Sequence, residues 1–249
     1  AVSHQVSFPN ATPYKRCCVE GVCDKDLFKA VDDMLADSPW FQRKQGRDHV
    51  VVHSHWYKHQ ARHNEVWRNI WKCHSISFEE NSMQGGRCRV ASTYVGRPCL
   101  REKKKQAGFA MIAAMSHEHH FPQREQVCQW AKRAAQESPE LYRVSLCGEG
   151  VQCPALALAR FGFQAKGDTW GSNRVMDTVL SGTVPLFTAE EQIRVLPAFV
   201  PWREMSYVAN LSSYESFREG MRAAELHYDG AARALEKYAP LIHWTKPKG

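Results

Sequence analysis

No apolar run in the 249 residues approaches the ~20 that a bilayer crossing needs, so no segment reads as a membrane-spanning helix. No charged-then-apolar leader follows Ala1, and any leader or anchor is expected outside this chain. Walker and Gly-x-Gly-x-x-Gly loops are absent, which excludes the simple ATPase and dehydrogenase patterns. There is no Cys-x-x-Cys pair, no zinc-finger spacing and no RNP-type aromatic pattern, so nucleic acid is not an expected partner. No internal repeat is visible, and collagen, coiled-coil and low-complexity readings of the whole chain are excluded.

What is present is a moderate basic excess, 33 Lys+Arg against 26 Asp+Glu, for a net charge of +7. It suits a phosphorylated or otherwise anionic partner without choosing one. The densest basic run, Arg101–Lys105, reads as a solvated linker. Nine cysteines, several in loop-like sequence, point to disulfides and an extracytoplasmic compartment; the odd count leaves at least one thiol over. Asn10-Ala11-Thr12 and Asn210-Leu211-Ser212 are acceptor triplets for N-glycosylation.

Residues 1–23 read as an irregular, Cys-containing arm. Asp24–Asp37 has helical apolar spacing closed by Ser38-Pro39. A strand is expected at 49–52, a helix over 64–72, and strands at 75–78 and 92–95. From residue 106 the pattern alternates. Strands are expected at 107–115, 142–147, 161–165, 183–187 and 205–209, with helices at 123–135, 154–159, 172–180 and 213–238. Such βαβ spacing predicts an α/β domain with a parallel sheet of about five strands. The chain thus divides into residues 1–105 and 106–249.

Ligands of open α/β sheets sit beyond the carboxyl ends of the strands. The loop after Ala165 holds Lys166, Gly167, Asp168 and Gly171, then Ser172 or Asn173 as the cap of a predicted helix. Free N–H groups there make an anion site. Arg174 and Asp177, three apart on one helical face, suit a phosphate and a ribose. An Arg–Asp surface pair is the alternative reading of the same spacing.

Lys166-Gly-Asp-Thr-x-x-Ser-x-Arg-x-x-Asp177, running into Leu180-Ser-Gly-Thr-Val-Pro-Leu186, resembles the signature of the exostosin-type glycosyltransferases, glycosyltransferase family 47. Leu196-Pro197, Pro201–Val208, Trp40–Trp56 and Tyr94–Pro98 resemble that family's flanking segments. The resemblance covers about residues 38–240. Phe163-Gln164 and Ala165-Lys166 stand where the family usually has Cys-Leu and Pro-Arg.

The resemblance implies a GT-B-like fold of two Rossmann-type domains, here with a truncated N-terminal, acceptor-side domain and a C-terminal nucleotide-sugar domain. It implies an inverting transfer of a hexose or pentose from a nucleotide sugar, UDP-linked by expectation, to a glycan or glycoprotein acceptor in the Golgi lumen. No cofactor or metal is implied, because Arg124, Lys166, Arg174 and a helix N-terminus would neutralise the leaving diphosphate. Asp177 would hold the ribose, and Gly167 and Gly171 would admit the phosphates. The catalytic base would come from the N-terminal domain, with His55 and Asp48 as candidates.

Two other classes fit some of the residues. A non-catalytic glycan- or nucleotide-binding relative would keep the fold without turnover. A zinc-dependent hydrolase could use the histidine stripe His55, His59 and His63, or the cluster Ser116–His120.

Overall fold

The computed structural model describes residues 18–19, 22–52, 68–79, 81–84, 86–96, 106–111, 122–139, 144–146, 156–166 and 169–243. By contact the chain falls into two units, residues 1–76 with 82–89 and residues 77–81 with 90–249.

The first unit starts with a short antiparallel pair, β1 (Cys18–Val19) and β2 (Val22–Cys23), followed by α1 (Asp24–Asp37) and α2 (Pro39–Lys44). Ser38 caps α2 by accepting from the Phe41 N–H, and Pro39 supplies a preset first helical φ. The helix ends on Gln45 in left-handed backbone, followed by Gly46 at φ +80°. A Cβ on Gly46 would lie 2.7 Å from the fully buried Phe41 ring, so only glycine closes this turn. Strand β3 (Val50–Val52) runs parallel to β4 (His74–Phe78). Buried Asp32 accepts from the Asn69 and Ile70 N–H groups at 2.9 and 2.8 Å, tying α1 to the 3-10 turn Ile70–Lys72. Of the helix expected over 64–72, residues 64–67 lie outside the described residues, and the rest is this turn.

The sheet that begins with β3 and β4 is completed by β5 (Ser82–Gln84) and β6 (Arg87–Ser92), in the order β3-β4-β6-β5. The β5–β6 hairpin corrects the expected strand at 92–95. The antiparallel pairing runs from Gln84 opposite Arg87 to Ser82 opposite Arg89, so β6 starts five residues before the expected strand and ends at Ser92, and residues 93–96 lie in no strand.

The second unit holds the sheet expected from the βαβ spacing. Strands β7 (Gln106–Met111), β8 (Val144–Leu146), β9 (Ala159–Gln164), β10 (Val184–Phe187) and β11 (Tyr207–Val208) are all parallel, in the order β11-β10-β9-β7-β8. Its helices include α3 (Pro122–Glu137), α4 (Asn173–Leu180), α5 (Glu190–Arg194) and α6 (Tyr214–Tyr238). Chain direction across the sheet reverses between β7 and β9. With right-handed crossovers, that reversal puts α3 and α4 on opposite faces. The core is continuous from β9 and β10 (Phe161, Phe163, Leu186, Phe187) to Met176, Met205, Phe217 and Ile242. Every β10 residue is buried, as in a parallel strand covered on both faces.

Candidate donor site at the sheet's reversal point

The order of strands reverses between β7 and β9, and in doubly wound sheets the carboxyl edge at such a point is where the two crossovers diverge and ligands bind. Three candidate segments border it. The first turn of α3 carries Arg124, the segment after β9 carries Lys166, and the start of α4 carries Ser172, Arg174 and Asp177.

Arg124 and Lys166 are joined directly. The Arg124 Nε–H donates to the Lys166 carbonyl oxygen at 2.8 Å. The exposed Lys166 ammonium lies 4.3 Å from the centre of the Trp170 ring, a cation–π contact. Both cations are thus held together just beyond the carboxyl end of β9.

The start of α4 is built as the sequence indicates. Ser172 is extended, at φ −161°, and its Oγ accepts from the Arg174 N–H at 3.2 Å. Arg174 is half-buried; burial pushes its guanidinium pKa down from the usual value, and the Asp177 charge pulls it back up. Asp177 is buried at 6% exposure, and its carbonyl receives the Ser181 N–H and hydroxyl at 3.1 and 2.6 Å.

Phe163-Gln164, a departure from the family signature, has a structural role. Phe163 is in the core at 2% exposure. Gln164 is buried and donates to Thr178 Oγ1 at 2.8 Å, while its carbonyl accepts from Gln192 Nε2 at 2.9 Å. Gln192 Oε1 in turn accepts from the Thr188 N–H at 2.8 Å. The end of β9, the middle of α4 and the start of α5 are therefore cross-linked by satisfied buried amides, which stiffens the seat of α4 on the sheet.

Gly167 and Asp168 lie outside the described residues, as do His55 and both histidine clusters. Among the described residues no group of His, Cys, Asp and Glu could hold a metal ion, and no helix is long and apolar enough to cross a membrane. Asp48 stands at the amino end of β3, the edge opposite to the one where parallel strands present ligand loops. Its carboxylate accepts from Arg43 at 3.1 Å and meets His49 Nδ1 at 2.9 Å. These contacts hold its pKa below the usual carboxylate range, chiefly through Arg43.

Sequence reasoning passed over Glu79 and Tyr94. Glu79 is buried, directly follows β4 and receives a hydrogen bond from the Tyr94 hydroxyl. The available signal was positional, a carboxylate one residue beyond the carboxyl end of an expected strand.

Residues 10–219 match the Exostosin GT47 domain. No curated protein matches the chain. Among solved structures, the chain is similar to the crystal structure of a GtfA/B complex, at 10% identity and a TM-score of 0.46, over 75% of this chain and 44% of that one. It is also similar to CalG4, the calicheamicin glycosyltransferase, at 15% identity and a TM-score of 0.31, over 89% and 65%. The chain therefore spans less than two thirds of either neighbour, and likenesses this distant carry no argument about function.

Proposed function

Since the chain belongs to the exostosin GT47 family of glycosyltransferases, we propose that it moves a hexose or pentose from a UDP-linked donor to a glycan or glycoprotein acceptor, with inversion. The observation that carries this reading is the convergence of Arg124 and Lys166 at the sheet's reversal point, beside the capped start of α4. Residues 106–249 hold the donor and residues 1–105 serve the acceptor, in a GT-B-like division of labour.

In this reading the diphosphate lies against the α4 start, where the positive end of the helix dipole and the Arg174 guanidinium meet negative charge. Asp177 accepts from the ribose hydroxyls, and Gly171 keeps the loop clear of side-chain bulk. The acceptor hydroxyl attacks the anomeric carbon as the bond to the diphosphate breaks. Its proton passes to a base, and the charge growing on the departing UDP is met by Arg124, Lys166 and Arg174. His55, which follows β3 in the sequence, is the base in this scheme. Asp48, at the other end of that strand, instead orients His49.

A secretory setting, the Golgi lumen, belongs to the same proposal. Cys128 is disulfide-bonded and the Asn210 acceptor side chain is exposed, and both support it.

The test is a thermal-unfolding series with UDP and with ADP as control. A ligand that binds only the native state must raise the melting temperature. UDP is expected to raise it in proportion to the logarithm of its concentration, and ADP to raise it less. No shift with either nucleotide would overturn the reading.

A further inference from the structure

Glu79 combines three features that a surface carboxylate lacks. It is 8% exposed. Its backbone sits at φ +60°, left-handed space that a non-glycine residue enters at a cost and that gathers at functional sites. And its carboxylate is fixed: the Tyr94 hydroxyl donates to Oε1, while the Tyr94 ring stacks on Phe78 with centroids 4.0 Å apart. Burial and then this bond push the Tyr94 hydroxyl pKa far above its ordinary value, so Tyr94 stays a donor at every working pH.

What the fixed carboxylate touches is Gly171. A Cβ on Gly171 would lie 2.6 Å from both Cγ and Cδ of Glu79 and 2.8 Å from Oε1. The glutamate therefore stands where a side chain at 171 would be. Gly171 is buried and immediately precedes Ser172, the cap of α4. The position of Glu79 consequently sets how closely the chain can approach before it turns into the helix that bears Arg174 and Asp177.

We propose that Glu79 is a positioning residue of the nucleotide-sugar site: latched by Tyr94, it takes the place of a side chain at Gly171 and fixes the path of the donor loop into α4. The inference rests on the donor reading above. Glu79 acts through Gly171 and Ser172 and needs no contact with the substrate.

The test is calorimetric UDP titration of the full chain, with thermal unfolding measured in the absence of nucleotide, for Glu79→Ala, Glu79→Gln, Gly171→Ala and the double variant Glu79→Ala/Gly171→Ala. Glu79→Ala and Gly171→Ala are each expected to weaken UDP binding about tenfold, the scale of coupling between residues in contact. Glu79→Gln keeps the shape and an acceptor oxygen for Tyr94, and is expected to stay within about threefold of wild type. The double variant should bind better than Gly171→Ala alone, because its added methyl enters the space that Glu79 vacated. Unchanged UDP affinity in Glu79→Ala, with only the melting temperature lowered, would reduce Glu79 to a structural residue and overturn the proposal. So would a double variant no better than Gly171→Ala. Should Gly171→Ala fail to fold, the contrast between Glu79→Ala and Glu79→Gln decides alone. A wild-type chain that does not bind UDP removes the donor reading itself, and this inference with it.

Discussion

Gly162 in β9 and Thr178 in α4 approach so closely that a Cβ on the glycine would lie 2.4 Å from Thr178 Cγ2 and 3.0 Å from Oγ1. The helix bearing Arg174 and Asp177 is thus seated on the strand with no room for a methyl group. Thr178 cannot turn aside cheaply, because its hydroxyl is committed to the Arg174 carbonyl at 2.7 Å and to Gln164.

Gly162→Ala is therefore expected to destabilise the chain by about 1–3 kcal/mol, the cost of overpacking a tight core. Urea unfolding checks it. The companion Gly162→Ala/Thr178→Ser removes the clashing methyl and should recover part of the loss. An unchanged midpoint for Gly162→Ala would mean that the helix lifts freely from the sheet.

Arg174→Ala should cost about 2–4 kcal/mol of transition-state stabilisation if the guanidinium meets the departing diphosphate. Asp177→Asn should weaken UDP binding through the ribose while leaving inorganic diphosphate binding nearly unchanged. Titration of both variants with UDP and with diphosphate separates the roles. Equal UDP affinity across wild type and both variants would place the nucleotide elsewhere.

Asn81 holds three main-chain groups at once. Its Nδ2 donates to the carbonyls of Arg194, at 3.1 Å, and Leu196, and its Oδ1 accepts from the Ala91 N–H at 3.1 Å. Ala91 is fully buried, so Asn81→Ala strands its donor. A loss of about 1–3 kcal/mol is expected, and Asn81→Asp should not restore it, because a carboxylate cannot donate to the two carbonyls. Denaturant midpoints for the two variants give the comparison.

Acid should weaken the fold through two carboxylates. Asp48 is held below its ordinary pKa by Arg43 and then His49, and Glu137 by the Tyr214 hydroxyl and then Arg133. A depressed folded-state value means stabilisation that is present above the unfolded pKa and lost as pH falls through the folded one. The melting temperature should therefore decline below about pH 4, where free carboxyl groups begin to protonate. Asp48→Asn and Glu137→Gln should each flatten that decline. A slope the same as wild type in both variants would assign the acid limb to other groups.

The sheet of the second unit was legible because its pattern is redundant. Apolar strands such as Thr183–Phe187 alternate with capped amphipathic helices, and Ser172 and Ser213 announce two of those helices by residue type alone. The β5–β6 hairpin went unread although Gly85-Gly86, between Gln84 and Arg87, is a two-residue turn signal. Its strands carry polar residues at most positions, so hydrophobic periodicity is silent there. Arg124 and Arg174 could be found from charge and spacing near an expected strand end. Glu79 could not be told from Glu80 by type, because its distinction is conformational: a positive φ and a neighbouring glycine 92 residues later that leaves it room.

The buried amides of Gln164 and Gln192 bind the fate of several positions together. Gln164 donates to Thr178 and accepts from Gln192, so an apolar residue at 164 would take away the donor to the fully buried Thr178 oxygen and leave that hydroxyl only its bond to the Arg174 carbonyl. The usual family leucine at 164 cannot be installed here as a single change without that cost. Relatives that carry leucine there are expected to differ at 178 as well, while 192, which reads only the main-chain oxygen of 164, is left to vary independently. Substitutions at 164 and 178 should therefore travel as a pair along the lineage, a correlation that the sequences of near relatives can be scored for directly.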